Sequence, residues 1–221
     1  MSQFLKIYQI YYEEKQLEKL IFEPYYNKKC TVFFENWVIK QIIDQGKHKN
    51  FDYFGVVSHD LLNKIKGVTH KSRSEMPLNE ENLRTQLALF EPDALSLSNI
   101  SSHDPITEAN NYHPYFIDLF SEIVKKNGYK WTPEEYQTVF YCNHFVAKSE
   151  IYEAYVNELL SPSMEIMKGM PELMNDSKYY KKLPEHLKKD FGVDYYPYQT
   201  FLCERLFSFY AHVNNLNCIQ F

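Results

Sequence analysis

The amino-acid sequence predicts an α/β protein with a mostly parallel central sheet and a helical C-terminal part. Short runs rich in β-branched and aromatic residues alternate with longer helical patterns, which is typical of helices packed on a sheet. After position 148 the pattern becomes helical. The chain has 221 residues and shows no internal repeat or low-complexity linker, so we expect one domain spanning residues 1–221.

Four segments are predicted to be strands, because each combines β-branched or aromatic residues with polar or turn-forming residues at its ends. The predicted strands are residues 4–12, 53–58, 94–98 and 138–148.

Three helices between these strands are predicted from their end signals. Residues 37–46 end in a glycine that suits a C-cap. Residues 79–90 begin at Asn79, a good N-cap, followed by acids in the first turn. Residues 113–128 have a proline near the start and two lysines and a glycine at the end.

Residues 149–169 are predicted as a further helix, which Pro162 is expected to end or kink. The polar, lysine-rich stretch 171–194 is expected to be either a helix-containing excursion or a mobile lid. Residues 196–210, "YPYQTFLCERLFSFY", resemble a core helix that carries Glu204 and Arg205 side by side.

Composition limits the classes of function. The net charge of -5 argues against a nucleic-acid partner, which usually requires a basic surplus. The four cysteines are scattered and the N-terminus lacks a signal-peptide pattern, so we expect a cytoplasmic protein with reduced thiols. No apolar run approaches the roughly 20 residues that span a bilayer, so no transmembrane segment is expected, while peripheral membrane contact stays open.

Two loops that follow predicted strands contain adjacent histidine and aspartate side chains. His59 and Asp60 follow the second strand, and His103 and Asp104 follow the third. In open α/β sheets ligands bind beyond the carboxyl ends of the strands, and a histidine or carboxylate there suits a base or a metal ligand. Helix capping by the same residue types is the competing explanation.

A basic run lies close to the first of these loops. Lysine and arginine donate charge-assisted hydrogen bonds to phosphate oxygens, so the run suits a diphosphate, although solvated surface loops have the same composition. It comprises Lys64, Lys66, His70, Lys71 and Arg73.

Asn143 and His144 interrupt the apolar pattern of the fourth predicted strand. Polar groups in a strand buried on both faces need partners. Asn143 is therefore expected to bond a neighbouring loop or to recognise a ligand hydroxyl.

The last helix has one narrow polar stripe on a mostly apolar circumference. Glu204 and Arg205 are about 100° apart around the axis, so each is expected to reach a different partner. A wet helix edge is the alternative explanation. The stripe consists of Glu204, Arg205, Ser208, His212 and Asn215.

Four fragments occur in an order that resembles bacterial glycosyltransferase-like proteins of capsular or cell-surface polysaccharide synthesis. They are "KIYQIYY", "DYFGVVS", "YCNHFVAKSEIYEAYVNELL" and "FLCERLFSFY". The similar features are a strand of the type N-x-F-[VI]-[AM]-K before a helix and a helix with E-R-L-F near the C-terminus. The resemblance covers most of the chain, from Lys6 to Tyr210.

The resemblance implies a type-A glycosyltransferase fold that takes a nucleotide-sugar donor and a saccharide acceptor. Many such enzymes bind Mn²⁺ or Mg²⁺ through a D-x-D motif, which this sequence lacks. The alternatives are a metal held by a single acid such as Asp104 or Asp60, basic residues in its place, or a non-catalytic module that binds saccharide or a partner enzyme.

If the chain is active, Glu204 or Asp60 is expected to be the base, and Lys64, Lys66, Lys71 or Arg73, with or without a metal at Asp104, to neutralise the leaving diphosphate. The remaining expected substrate-binding residues are His59, His103, Asn143, His144 and Arg205. Motifs for dinucleotide binding, P-loop hydrolysis, serine hydrolysis and zinc proteolysis are absent from the sequence.

Overall fold

The computed structural model describes residues 3–27, 31–68, 76–98, 103–170, 173, 188, 194 and 196–221. The predicted α/β class with a mostly parallel sheet is confirmed. Among the described residues six strands form one sheet in the order β2-β1-β3-β5-β4-β6, in which β5 alone runs against its neighbours. The strands are β1 (Gln3–Tyr11), β2 (Glu23–Tyr26), β3 (Phe51–Ser58), β4 (Ala94–Ser96), β5 (Phe145–Lys148) and β6 (Cys218–Gln220).

Eight α-helices are present in the described part of the chain, with a 3₁₀ turn at Glu14–Lys19 and a π-helical turn at Val156–Leu160. The α-helices are α1 (Glu35–Asp44), α2 (Leu61–Val68), α3 (Glu80–Phe90), α4 (Pro105–Asn110), α5 (Phe116–Lys126), α6 (Ser149–Tyr155), α7 (Ser161–Lys168) and α8 (Tyr198–Val213).

The sheet is covered on both faces, because successive side chains of its strands point to opposite sides. Phe54 and Val56 of β3 pack with α1 and with α4 to α8, whereas Tyr53 and Val57 pack with α2 and α3. Phe145 of β5 stacks on Phe207 of α8, with ring centroids 3.7 Å apart. Much of the aromatic content therefore lies in the core.

The fourth predicted strand is shorter than the sequence suggested. Only Phe145–Lys148 pairs as a strand, and residues 139–144 form an irregular segment that ends in a turn. Cys142 and Asn143 both have a left-handed backbone, with φ of 54° and 58°. Two left-handed residues in succession break the extended conformation, so Asn143 and His144 precede the strand instead of interrupting it.

A close approach between β3 and β5 fixes this reversed strand in the sheet. A Cβ atom on Gly55 would lie 2.9 Å from the Phe145 carbonyl oxygen and 3.1 Å from a methyl group of Val146. The position therefore requires the absence of a side chain.

The two edge strands were not predicted from the sequence. β2 contains Pro24, and β6 has three half-buried residues, so neither shows the apolar pattern of a buried strand. Both lie at the sides of the sheet, where short strands and proline are tolerated.

The helix predicted over residues 149–169 continues past Pro162. The π-helical turn Val156–Leu160 lies directly before α7, in which proline occupies an early position. A wider turn there accommodates a proline ring that lacks a donor N–H. In the part of the chain that the structure describes, no helix is long and apolar enough to cross a membrane.

Candidate functional site

The carboxyl ends of β1 and β3 form the topological switch point of the sheet. The chain leaves β1 toward β2 on one side, and β3 pairs with β1 on the other side. Because β5 runs in the opposite direction, the turn before it lies at the same edge. His144 Nε2 is 3.1 Å from the Ser58 hydroxyl at the end of β3. This edge is where open α/β sheets bind ligands.

Four charged side chains gather at this edge, and we call them the charged cluster: Glu35, Lys64, Glu204 and Arg205. Glu35 begins α1, Lys64 lies in α2, and the other two lie in the middle of α8. Lys64 Nζ is 3.8 Å from a Glu35 carboxylate oxygen, and Arg205 Nη1 is 3.6 Å from one of Glu204. Their side chains are 14%, 33%, 16% and 11% exposed, in chain order.

Burial and mutual attraction set the protonation of the cluster. Burial raises the pKa of the Glu204 carboxyl, and the nearby cations Arg205 and Lys64 only partly oppose this. Burial alone would lower the pKa of the Lys64 amine, but the surrounding acids, Glu35 first, raise it above its ordinary value. Lys64 therefore stays charged, while Glu204 takes up a proton more readily than an exposed glutamate.

Glu35 owes its position to an unusual backbone. Phe34, the residue directly before it, has φ 47° and ψ -125°, a conformation that is costly for any residue with a side chain. The turn Cys142–Asn143 is the second strained place beside the cluster. Strained backbone on two separate segments is a common accompaniment of functional sites.

The strained turn brings three further polar side chains to the edge. Burial, and then the charge of Glu204, raises the pKa of the Cys142 thiol to about 12, so this cysteine is not a thiolate at neutral pH. Burial and nearby Lys64 lower the pKa of His144 far below its ordinary value, so its imidazole is neutral. The side-chain oxygen of Asn143 is buried and has no hydrogen-bond partner among the residues that the structure describes.

Arg205 is braced on the side of the cluster that faces α4. Its Nε donates to the Pro105 carbonyl at 3.2 Å, and its guanidinium lies 4.7 Å from the centre of the Tyr141 ring. The buried Nη1 makes no hydrogen bond to any described residue. Burial, with a smaller effect from Arg205, lowers the pKa of His113 to about 4, so that ring is neutral near the guanidinium.

His59 and Asp60 lie at the mouth of the same edge. Burial lowers the pKa of the His59 imidazole, whose ring meets that of Tyr12 edge-on at 5.7 Å. Asp60 accepts a hydrogen bond from Asn63 at 2.6 Å at an exposed position. Its charge contributes to the raised pKa of Lys64, so Asp60 is a neighbour of the cluster.

His103 belongs to an adjoining hydrogen-bonded group. His103 Nε2 is 2.8 Å from a Glu108 carboxylate oxygen and 2.7 Å from the Tyr141 hydroxyl, which also donates to Glu108. Because the Tyr141 ring lies against the guanidinium of Arg205, this hydrogen-bonded group packs against the charged cluster.

Asp104 caps a helix. One carboxylate oxygen accepts from the backbone N–H groups of Ile106 and Thr107 at 2.9 and 3.1 Å, and the other accepts from the Thr107 hydroxyl at 2.6 Å. Among the described residues no three histidine, cysteine or acidic side chains come together as metal ligands. Both carboxylate oxygens of Asp104 are therefore engaged in capping α4, and a Mn²⁺ or Mg²⁺ ion at Asp104 stays a prediction.

Most of the site predicted from sequence comes together. Glu204 pairs with Arg205, and Lys64 lies near enough to Glu204 for the two charges to shift each other's pKa. His59, Asp60 and His144 lie close to Lys64, and Asn143 directly precedes His144. Lys71 and Arg73 lie outside the described residues, as does the side chain of Lys66. Sequence reasoning missed Glu35, Cys142 and Tyr141. An acid that opens an apolar helix, as in "FFENWVIKQII", was the available signal for Glu35.

No family model, no curated protein and no solved structure matches the chain. The fold and the site therefore define the class on their own: an α/β protein with a mostly buried, charged site at the switch point of its sheet.

Proposed function

We propose that the protein transfers a sugar from a nucleotide-sugar donor to a saccharide acceptor, with Glu204 as the catalytic base. The observation that carries the proposal is the position of Glu204, a mostly buried carboxyl with a raised pKa between Lys64 and Arg205 at the switch point. A base works best when its pKa lies near the working pH.

The two cations of the charged cluster suit the leaving group. During transfer Glu204 removes the proton of the acceptor hydroxyl, whose oxygen bonds to the anomeric carbon of the donor. The bond from that carbon to the diphosphate oxygen breaks, and its electron pair leaves with the nucleoside diphosphate. Lys64 and Arg205 would stabilise that negative charge. Among the described residues Arg205 Nη1 has no hydrogen-bond partner, and it lies 3.6 Å from a Glu204 carboxylate oxygen.

The strained turn supports sugar recognition. The buried side-chain oxygen of Asn143 has no hydrogen-bond partner in the described part of the chain, and a sugar hydroxyl would satisfy it. The left-handed backbone at this position holds the side chain at the edge of the sheet. Rings at the carboxyl ends of β1 and β2 suit a nucleobase, because Tyr11 and Tyr26 lie 5.2 Å apart and Tyr26 is half exposed.

The test is a panel of nucleotide sugars, each titrated into the protein by calorimetry with and without Mn²⁺, followed by an assay for released nucleoside diphosphate in the presence of saccharide acceptors. We expect one donor to bind and to be turned over. Glu204→Gln should bind that donor with similar affinity and lose at least about a hundredfold in turnover, the usual contribution of a base.

The matched control is Glu122→Gln, which neutralises an exposed glutamate paired with Lys126 on α5. It should leave turnover unchanged. Binding of saccharide without turnover of any donor would favour a non-catalytic module instead, and no binding to any nucleotide sugar would exclude the transferase. Because cells make nucleotide sugars in the cytoplasm, the proposal implies a cytoplasmic protein.

A further inference from the structure

A second recess lies where α8 ends, away from the charged cluster. It encloses about 350 Å³, which falls within the range of small-molecule sites. A neighbouring recess of about 290 Å³ contains Trp131 and Glu134 and shares with it the side chains of Tyr136, His212 and Asn215. We call the two together the helix-end cleft.

An aromatic pair, Tyr136 and His212, lines this cleft. The rings of Tyr136 and His212 stack 4.3 Å apart and nearly parallel, at 6°. His212 Nε2 is 3.0 Å from a Glu134 carboxylate oxygen, which fixes the orientation of the imidazole. Trp131 stands half-buried beside them.

The charges of the cleft exclude most anions. Glu134 and Glu135 line it, and Lys130 is the one lysine or arginine among its described lining residues. Two carboxylates repel a phosphate or a nucleotide. The amides of Gln137 and Asn215, with carboxylates and ring edges, suit instead an uncharged ligand with many hydroxyl groups. That chemistry is typical of a saccharide.

The cleft is separated from the charged cluster although both lie along one stripe of α8. His212 follows Arg205 by seven residues, which places them on the same face about 10 Å apart along the axis. Between them Ser208 is fully buried, accepting from the Phe140 N–H at 2.9 Å and donating to its carbonyl at 3.2 Å. A single sugar unit in the cleft therefore does not reach Glu204, whereas a longer chain can extend from one place to the other.

We propose that the helix-end cleft binds a sugar unit of the acceptor chain at a distance from its reacting end. The identity of that chain as acceptor rests on the proposed function, whereas saccharide binding in the cleft does not. Holding a long acceptor at a second place raises the effective concentration of its reacting end near Glu204.

The two tryptophans of the chain allow the two sites to be tested separately. Trp37 lies in α1, two residues after Glu35, and Trp131 lines the cleft. In Trp37→Phe the remaining fluorescence reports on the cleft, and in Trp131→Phe it reports on α1 beside the charged cluster. The probes are maltoheptaose, N-acetylchitohexaose and a partial hydrolysate of bacterial capsular polysaccharide, with the nucleotide-sugar panel as donor probes.

We expect at least one saccharide probe to change the emission of Trp131 in Trp37→Phe with saturation. Gln137→Ala and Asn215→Gly should each weaken that binding about fivefold, the value of one lost hydrogen bond. Glycine is chosen at 215 because the asparagine has a left-handed backbone with φ 50°. Gln45→Ala, at an exposed position after α1, is the matched control and should bind as the unmodified chain does.

The proposal is overturned if no saccharide probe alters Trp131 emission, or if the two cleft variants bind like the control. Chemical-shift mapping on the unmodified chain repeats the test without any substitution. Failure of the transferase proposal has a different signature, because nucleotide sugars would then leave the Trp131→Phe protein unchanged while saccharides still affect the cleft.

Discussion

The charged cluster and the helix-end cleft lie on the same stripe of α8 but differ in burial. In the cluster, Glu204 and Arg205 are 16% and 11% exposed, and burial is the first cause of the raised pKa of Glu204. In the cleft, His212 and Glu134 are 28% and 54% exposed and form a wet surface pair. Similar residue types therefore lie in a mostly buried environment at one place and in a solvated one at the other.

The largest expected effect on stability comes from removing the cation of the cluster. Lys64→Met removes the lysine that lies near the mostly buried carboxyls of Glu35 and Glu204. We therefore expect the free energy of unfolding to fall by about 3 kcal/mol, the value for breaking a buried pair. Urea unfolding at pH 7 measures it. Lys126→Met, which removes an exposed partner of Glu122, is the control and should cost under about 0.5 kcal/mol.

Equal losses of stability in Lys64→Met and Lys126→Met would mean that the charged cluster is as solvated as the surface of α5. The double variant Lys64→Met/Glu35→Gln sharpens the result. It removes one of the two stranded carboxylates, so it should recover part of the stability that the single variant lacks.

The second prediction concerns the strand that carries the turn of the site. Gly55→Ala brings a methyl group to within 2.9 Å of the Phe145 carbonyl oxygen, so β3 and β5 must move apart. We expect a loss of about 2 kcal/mol from overpacking and weaker donor binding, because residues 142–144 move with β5. Thermal unfolding and calorimetric titration measure the two effects.

Gly169→Ala is the matched control. Its added methyl group meets only the Ile166 carbonyl at 3.4 Å, on a backbone with φ -87° that alanine adopts readily. Both its stability and its donor binding should stay close to those of the unmodified chain. Unchanged donor binding in Gly55→Ala would show that the site does not depend on the contact between β3 and β5.

Sequence reasoning found the parts of this site that lie within single segments. The apolar strand that ends at Ser58 and the polar stripe of the last helix are local patterns, and the strand is where it was predicted. The stripe is helical from Glu204 to His212, but Asn215 lies beyond the end of α8 at Val213. Glu204 and Arg205, which were expected to reach different partners, pair with each other at 3.6 Å. The reversed direction of β5 and the left-handed backbone of Cys142 cannot be recognised from the residue types of these segments. Glu35 and Glu204 are far apart in the chain, so only packing brings them together.

The third prediction uses the pH dependence of stability. Because the pKa of Glu204 is raised in the folded chain, the folded state holds its proton more tightly than the unfolded state. Stability from this group is present at low pH and falls as the pH rises from the unfolded pKa through the folded pKa. Glu204→Gln, which cannot ionise, should therefore gain in relative stability as the pH rises from 4 to 7.

Urea titrations of both proteins at several pH values measure this difference. Glu122→Gln again supplies the reference, since its glutamate is exposed. A relative stability of Glu204→Gln that falls with rising pH would show that Lys64 and Arg205 outweigh burial, and the base would then be better sought at Asp60.

The smallest expected effect lies in the cleft. His212→Asn removes the ring that stacks on Tyr136 and should cost about 1 kcal/mol, the value of an aromatic pair. Glu134→Gln should leave thermal stability unchanged, because the pair it weakens is exposed to water. Both variants should retain donor turnover with a short acceptor, since Ser208 and Phe140 separate the cleft from Glu204. A loss of turnover on a short acceptor in either variant would show that the two sites are coupled. The cleft would then act on the reacting sugar itself.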